Sequence, residues 1–152
     1  MDILKNLNHR LTITEGTACY GGEEDIKELM EKSPIQLPED YIEFLKSISG
    51  GDDVGVSFQV DDTGHEINIW NAGFAMEKLE EFYAPFLDDF LKNVWFIGDD
   101  LGDLVYCYGK GKEGFGLYCF DAGALGYFEH ADKIADTLTD FLVKGVGIDV
   151  AV

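Results

Sequence analysis

Positive charge is the scarcest thing in this chain. Eleven lysines and arginines stand against 30 aspartates and glutamates in 152 residues, a formal net charge of −19 with histidine neutral. A protein that grips nucleic acid neutralises phosphates with a basic surface, and none is available here. Attachment to an anionic membrane surface is disfavoured for the same reason. Cysteine is sparse too: Cys19, Cys107 and Cys119 make an odd count without framework spacing, which argues against a disulfide scaffold. Cys107 and Cys119 fall on neighbouring predicted strands, but their apolar surroundings favour buried free thiols. His9, His65 and His130 have no ligand spacing to one another or to a cysteine, so no zinc site is expected. No 18-residue apolar run is present to span a membrane. The start, Met1-Asp2-Ile3-Leu4-Lys5-Asn6, lacks the continuous apolar segment of a signal peptide, so the expected location is cytoplasmic.

Assembled catalytic motifs are missing as well. There is no Gly-x-Ser-x-Gly elbow and no glycine loop ending in Lys-Ser or Lys-Thr. Cys19, beside Tyr20-Gly21-Gly22, has no evident histidine to activate it. Thirty carboxylates make chance pairs unavoidable, so their abundance singles out no acid–base couple. The chain reads as a non-enzyme with no catalytic residue, cofactor or metal assigned.

What is abundant is apolar and aromatic content, 46% and 13%. That separates the chain from disordered acidic sequences and suits one domain over residues 1–152 with a real core. The strong negative field has two readings: steered capture of a basic partner, or plain solubility.

Ile3, Leu4, Leu7 and Leu11 sit at helical spacing and suggest a short opening helix, with Thr12 to Gly22 as loop or edge strand. Glu23 to Lys32 reads as a helix with Ile26, Leu29 and Met30 as its apolar stripe and acids in its first turn. Ser33-Pro34 breaks it. A further helix starts at Leu37-Pro38 and buries Tyr41, Phe44, Leu45 and Ile48. Gly50-Gly51 ends it, and the expected means is a left-handed glycine. Val54, Val56, Phe58 and Val60 alternate with smaller or polar residues, the pattern of a half-buried strand. The turn Asp61-Asp62-Thr63-Gly64 returns it as Glu66 to Asn71.

Phe74 to Val94 is helical in pattern, with Pro85 expected to kink it. Two strands follow between Trp95 and Asp121, and a third over Ala124 to Glu129. A closing helix is expected from an Asp132 N-cap to Lys144-Gly145. The order gives an α+β fold with a mainly antiparallel sheet of about five to six strands and four to five helices.

Asp99, Asp100 and Asp103 in the loop Gly98-Asp99-Asp100-Leu101-Gly102-Asp103 admit three readings: turn capping, partner contact and cation binding. Asp52-Asp53 and Asp61-Asp62 are turn residues that also suit an acidic partner-binding surface. Trp70 reads as core or sheet cover, with an exposed interface anchor as its functional alternative. Between Gly51 and Asp100 there are 12 acids against two lysines.

Leu37-Pro38-Glu39-Asp40-Tyr41 with Phe44-Leu45, then Ser49-Gly50-Gly51, then Phe96 to Asp103, and finally Ala135 to Leu142, resemble in order and spacing the SUKH superfamily. That group includes bacterial immunity proteins and a yeast cell-wall-assembly regulator. The resemblance covers the chain from about Glu23 to Gly145. It implies a SUKH-like α+β domain that binds and neutralises a cognate toxin, often a nuclease, whose basic groove an acidic protein would occupy. The other implied role is a regulatory module in cell-envelope or glucan-synthesis control.

Overall fold

The computed structural model describes residues 2–16, 18–51, 54–80, 93–124 and 128–152. Among these residues lie four α-helices: α1 (Glu23–Lys32), α2 (Glu39–Ile48), α3 (Ala72–Lys78) and α4 (Leu138–Leu142). Seven strands form one sheet: β1 (Leu11–Glu15), β2 (Gly55–Val60), β3 (Glu66–Trp70), β4 (Val94–Asp99), β5 (Leu104–Gly111), β6 (Gly114–Asp121) and β7 (Asp132–Ala135). Their spatial order follows the chain and every neighbouring pair is antiparallel. The α+β class is as expected, with more strands than five or six.

Cross-strand register assigns the two faces. Val56, Ile69, Gly98, Tyr106 and Cys119 are successive partners and therefore share one face. The helices cover it: Tyr41 of α2 tilts against Tyr108 at 5.6 Å between rings, and Phe141 of α4 meets Tyr106 edge-on at 6.1 Å. The opposite face is not uniform. Along β4 to β6 it carries Phe96, Cys107, Tyr118 and Phe120, packed with Phe128 at ring separations of 5.4 to 6.1 Å. Along β2 and β3 it carries Ser57, Gln59, Glu66 and Asn68. A strand covered on both faces reads as an unbroken apolar run, and a strand with one polar face alternates. That is why Val105-Tyr106-Cys107-Tyr108 and Val56-Ser57-Phe58-Gln59 look so different in sequence.

Several local expectations are corrected. The opening helix shrinks to a 3-10 turn at Ile3–Lys5, and Leu11 begins the edge strand β1. The Trp95–Tyr108 stretch is split by the loop at 100–103 into β4 and β5. Of the strand expected over Ala124 to Glu129, the described residues lie in 3-10 turns, Ala122–Ala124 and Phe128–His130, and residues 125–127 lie outside the described residues. Asp132 starts β7, because Ile134 and Ala135 find a buried place beside β6. The closing helix starts after Thr137, whose hydroxyl oxygen accepts from the Asp140 N–H at 3.1 Å.

Gly50 and Gly51 do not use a left-handed backbone. Gly50 is required by proximity: a Cβ there would strike the Tyr20 carbonyl oxygen, and its N–H donates to the Cys19 carbonyl at 2.8 Å. The expected long helix over Phe74 to Val94 starts as α3, with Asn71 as its cap; Pro85 lies outside the described residues.

Candidate partner-binding surface

The loop between β4 and β5 is built by its own carboxylates. Asp99 Oδ1 accepts from the Leu101 N–H at 3.2 Å and from Asn68 Nδ2 at 3.3 Å. Asp100 Oδ1 accepts from the N–H groups of Gly102 and Leu104, at 2.8 and 3.0 Å. Gly98 precedes them because a Cβ there would run into the Asn68 carbonyl oxygen. Asp99 and Asp100 are thus turn caps, half-buried by that duty, while the Asp103 side chain is exposed. Leu101 sits at φ 63°, a left-handed conformation that costs a leucine about 1–2 kcal/mol, and 56% of it is exposed.

The turn between β2 and β3 holds the next pair. Asp61 is clamped by Arg10, whose Nε and Nη2 donate to its carboxylate at 3.1 and 2.9 Å. Arg10 also reaches Asp149 at 2.7 Å, so one guanidinium ties the hairpin to both terminal segments. Hydrogen bonds to Asp61 and Asp149 hold the Arg10 pKa above its ordinary value, and the same guanidinium holds Asp149 below its own. Asp62 is exposed. Asp52 and Asp53 lie outside the described residues.

These acids do not converge on one point. Asp99 pairs with Asn68, which pairs with Ser57, and Asp61 lies four residues beyond Ser57, roughly 13 Å further along the hairpin. Among the described residues no group of three or more His, Cys, Asp or Glu is placed to hold a metal ion. Trp70 is fully buried, against Phe74 at 5.9 Å, so the exposed anchor is corrected to a core residue. The strand ends just past it, and α3 folds back over the ring.

Three features escaped sequence reasoning because distant segments create them. A hydrogen-bonded ladder crosses the sheet from Ser57 through Asn68 to Asp99. A groove of about 450 Å³ between α1 and α3 is lined by Asp25, Glu28, Glu77 and Glu80 above Phe74 and Met76, with Lys32 bridging Glu28 and Glu80. Asp40 Oδ2 accepts from both the N–H and the hydroxyl of Thr139, at 2.9 and 2.8 Å. The Tyr108 hydroxyl accepts from the Leu138 N–H at 2.8 Å, so the open N–H groups of Leu138, Thr139 and Asp140 are all satisfied.

Sheet and loops together define a single-sheet α+β domain that turns acidic loops and an acidic groove toward its surroundings. The chain belongs to the SMI1 / KNR4 family (SUKH-1), whose family model matches residues 22–144. Comparison with curated proteins found no match. The motifs that carry the family resemblance have structural duties in this chain. Pro38 takes the position just before α2, Asp40 fastens α4, Tyr41 accepts from Trp95 Nε1 at 3.1 Å, and Gly98 lets β3 and β4 close. No helix among the described residues is long and apolar enough to cross a membrane.

Proposed function

We propose that this chain is a non-enzymatic immunity protein that binds and neutralises a cognate toxin domain, a basic nuclease, from the cytoplasm. The observation that supports it most is charge together with its placement. A net −19 is presented partly on exposed carboxylates, Asp62, Asp103 and Asp121, where β2, β4 and β6 reach the same end of the sheet. A nuclease needs a basic groove for phosphates, and such carboxylates complement it. Family membership supports the same reading. Of the sequence candidates, Asp62 and Asp103 are the contacts best placed for a partner; Asp61, Asp99 and Asp100 already serve the fold.

Co-expression with a toxin domain encoded beside this gene tests the reading. Growth rescue, and a complex that survives low salt but dissociates at high salt, are the expected results, since exposed charge pairs are screened beyond about 10 Å at 0.1 M. The double variant Asp62→Lys and Asp103→Lys is expected to weaken the complex at least about tenfold, because like charges facing a basic partner cost several kcal/mol. Its melting temperature should stay within a few degrees of the parent. Unchanged affinity would remove this end of the sheet as the interface. Failure of rescue would shift weight to a second reading, a regulatory interaction module in cell-envelope or glucan-synthesis control, which rests on the same family membership.

A further inference from the structure

We propose that a small dimple beside the Asp100–Asp103 loop is a socket for one guanidinium side chain, an arginine presented by a partner protein. The dimple measures about 140 Å³ and is lined by Glu15, Gly16, Val54, Ser57, Asn68 and Leu101. That is on the order of the ~150 Å³ that holds one benzene ring, so one planar head group fits and a second side chain does not. The inference deepens the proposed function: it rests on that reading for the partner, while the chemistry of the socket stands on its own.

The floor is polar and buried. Ser57 and Asn68 are 4% and 7% exposed. Ser57 Oγ donates to Asn68 Oδ1 at 3.1 Å, and Asn68 Nδ2 donates to Asp99 Oδ1 at 3.3 Å. Both donations run toward Asp99, so the hydrogen-bonding capacity left on the floor is chiefly oxygen lone pairs. Glu15 adds an exposed carboxylate at the rim. Such a floor asks for a donor with positive charge.

The walls ask for something else. Val54 and Leu101 are 52% and 56% exposed, and Leu101 is held there in a left-handed backbone. Neither core packing nor turn chemistry calls for a leucine at that position. Apolar walls above an acceptor floor suit an amphipathic side chain, whose methylenes pack on the walls while its head reaches the floor. Arginine fits better than lysine, because its planar, weakly hydrated head spreads several donors over neighbouring acceptors. The charge of −19 draws such side chains in.

The test uses the full chain, labelled with nitrogen-15, titrated with arginine amide and, separately, with lysine amide. The side-chain amide of Asn68 and the backbone amides of Gly16 and Leu101 are the reporters. Expected are saturable shifts confined to these signals with arginine amide, and at least about threefold weaker binding of lysine amide. Glu15→Gln and Leu101→Asn should each weaken binding at least about threefold with the rest of the spectrum unchanged; asparagine keeps the left-handed backbone. Linear shifts spread equally over the Asp62 turn would overturn the socket, as would no shift at Asn68. Equal binding of lysine amide would overturn the assignment to arginine. A negative titration leaves the toxin-rescue experiment standing, and failed rescue leaves the titration standing.

Discussion

Two tryptophans show how much depends on one hydrogen bond. Both are fully buried. Trp95 donates to the Tyr41 hydroxyl, whereas the Trp70 indole N–H is buried with no hydrogen-bond partner among the described residues. Trp95→Phe leaves the Tyr41 hydroxyl unpaired in the core, while Trp70→Phe removes a donor that already lacks a partner. Trp95→Phe is therefore expected to be the more destabilising by about 1–3 kcal/mol in urea melts. Equal losses would mean that ring volume alone sets the cost. The cysteines separate in the same way. Register puts Cys107 opposite Tyr118 and Cys119 opposite Tyr106, so the two thiols point to opposite faces and remain free. Burial pushes the Cys119 thiol up to about 11 and Cys107 well above its usual value. A thiol reagent at pH 8 should label Cys19 alone in the native protein and all three after unfolding. Fast labelling of Cys107 would contradict the sheet assignment.

At the scale of elements, glycines and caps decide where strands and helices meet. β3 and β4 share only a short ladder, Asn68 with Asp99 and Ile69 with Gly98, so this seam tolerates little disturbance. Gly98→Ala drives a methyl into the Asn68 carbonyl and is expected to cost about 3 kcal/mol or more, read as a drop in melting temperature. A loss below about 1 kcal/mol would mean that the seam relaxes freely. The amphipathic elements were legible from the chain. α1 has the expected limits, α2 lies within one residue of its expected start, and the β2–β3 hairpin turns at Asp61 to Gly64. Asp132 to Ala135 was among the misassigned stretches. Its pattern fits either a helix start or an edge strand, and only the open edge of β6 selects the strand.

For the whole molecule, burial between the helices and the sheet face they cover sets the response to pH. Tyr41, Tyr106 and Tyr108 sit in the core, and loss of solvation raises all three above their usual value of 10.0. A folded-state pKa above the unfolded one gives stability that is complete below pH 10 and is lost as pH rises further. Each such group contributes about 1.4 kcal/mol per pH unit in that range, so the three act together. Denaturation midpoints should hold steady from pH 7 to 9 and fall steeply between pH 10 and 11. A midpoint that stays flat to pH 11 would mean that these hydroxyls ionise without unfolding. The other whole-molecule property is the net charge of −19, part of which Asp62 and Asp103 carry on exposed turns.

The sequence by itself determined the acidic character and the α+β class, because these follow from composition and from periodicities within ten residues or so; the family was legible in the order and spacing of its motifs, from Leu37-Pro38 to Ala135–Leu142. Tertiary structure alone decided the duties of individual acids. Asp61 became a clamp because Arg10 and Asp149 arrive from both terminal segments, and Asp40 became a cap because α4 starts beside α2. It also settled Trp70 in the core rather than at an exposed interface and brought Glu15, Ser57, Asn68 and Leu101, residues up to 86 positions apart in the chain, around one dimple. Local pattern fixes which side of an element is apolar; which element covers that side depends on contacts that no short window of sequence contains.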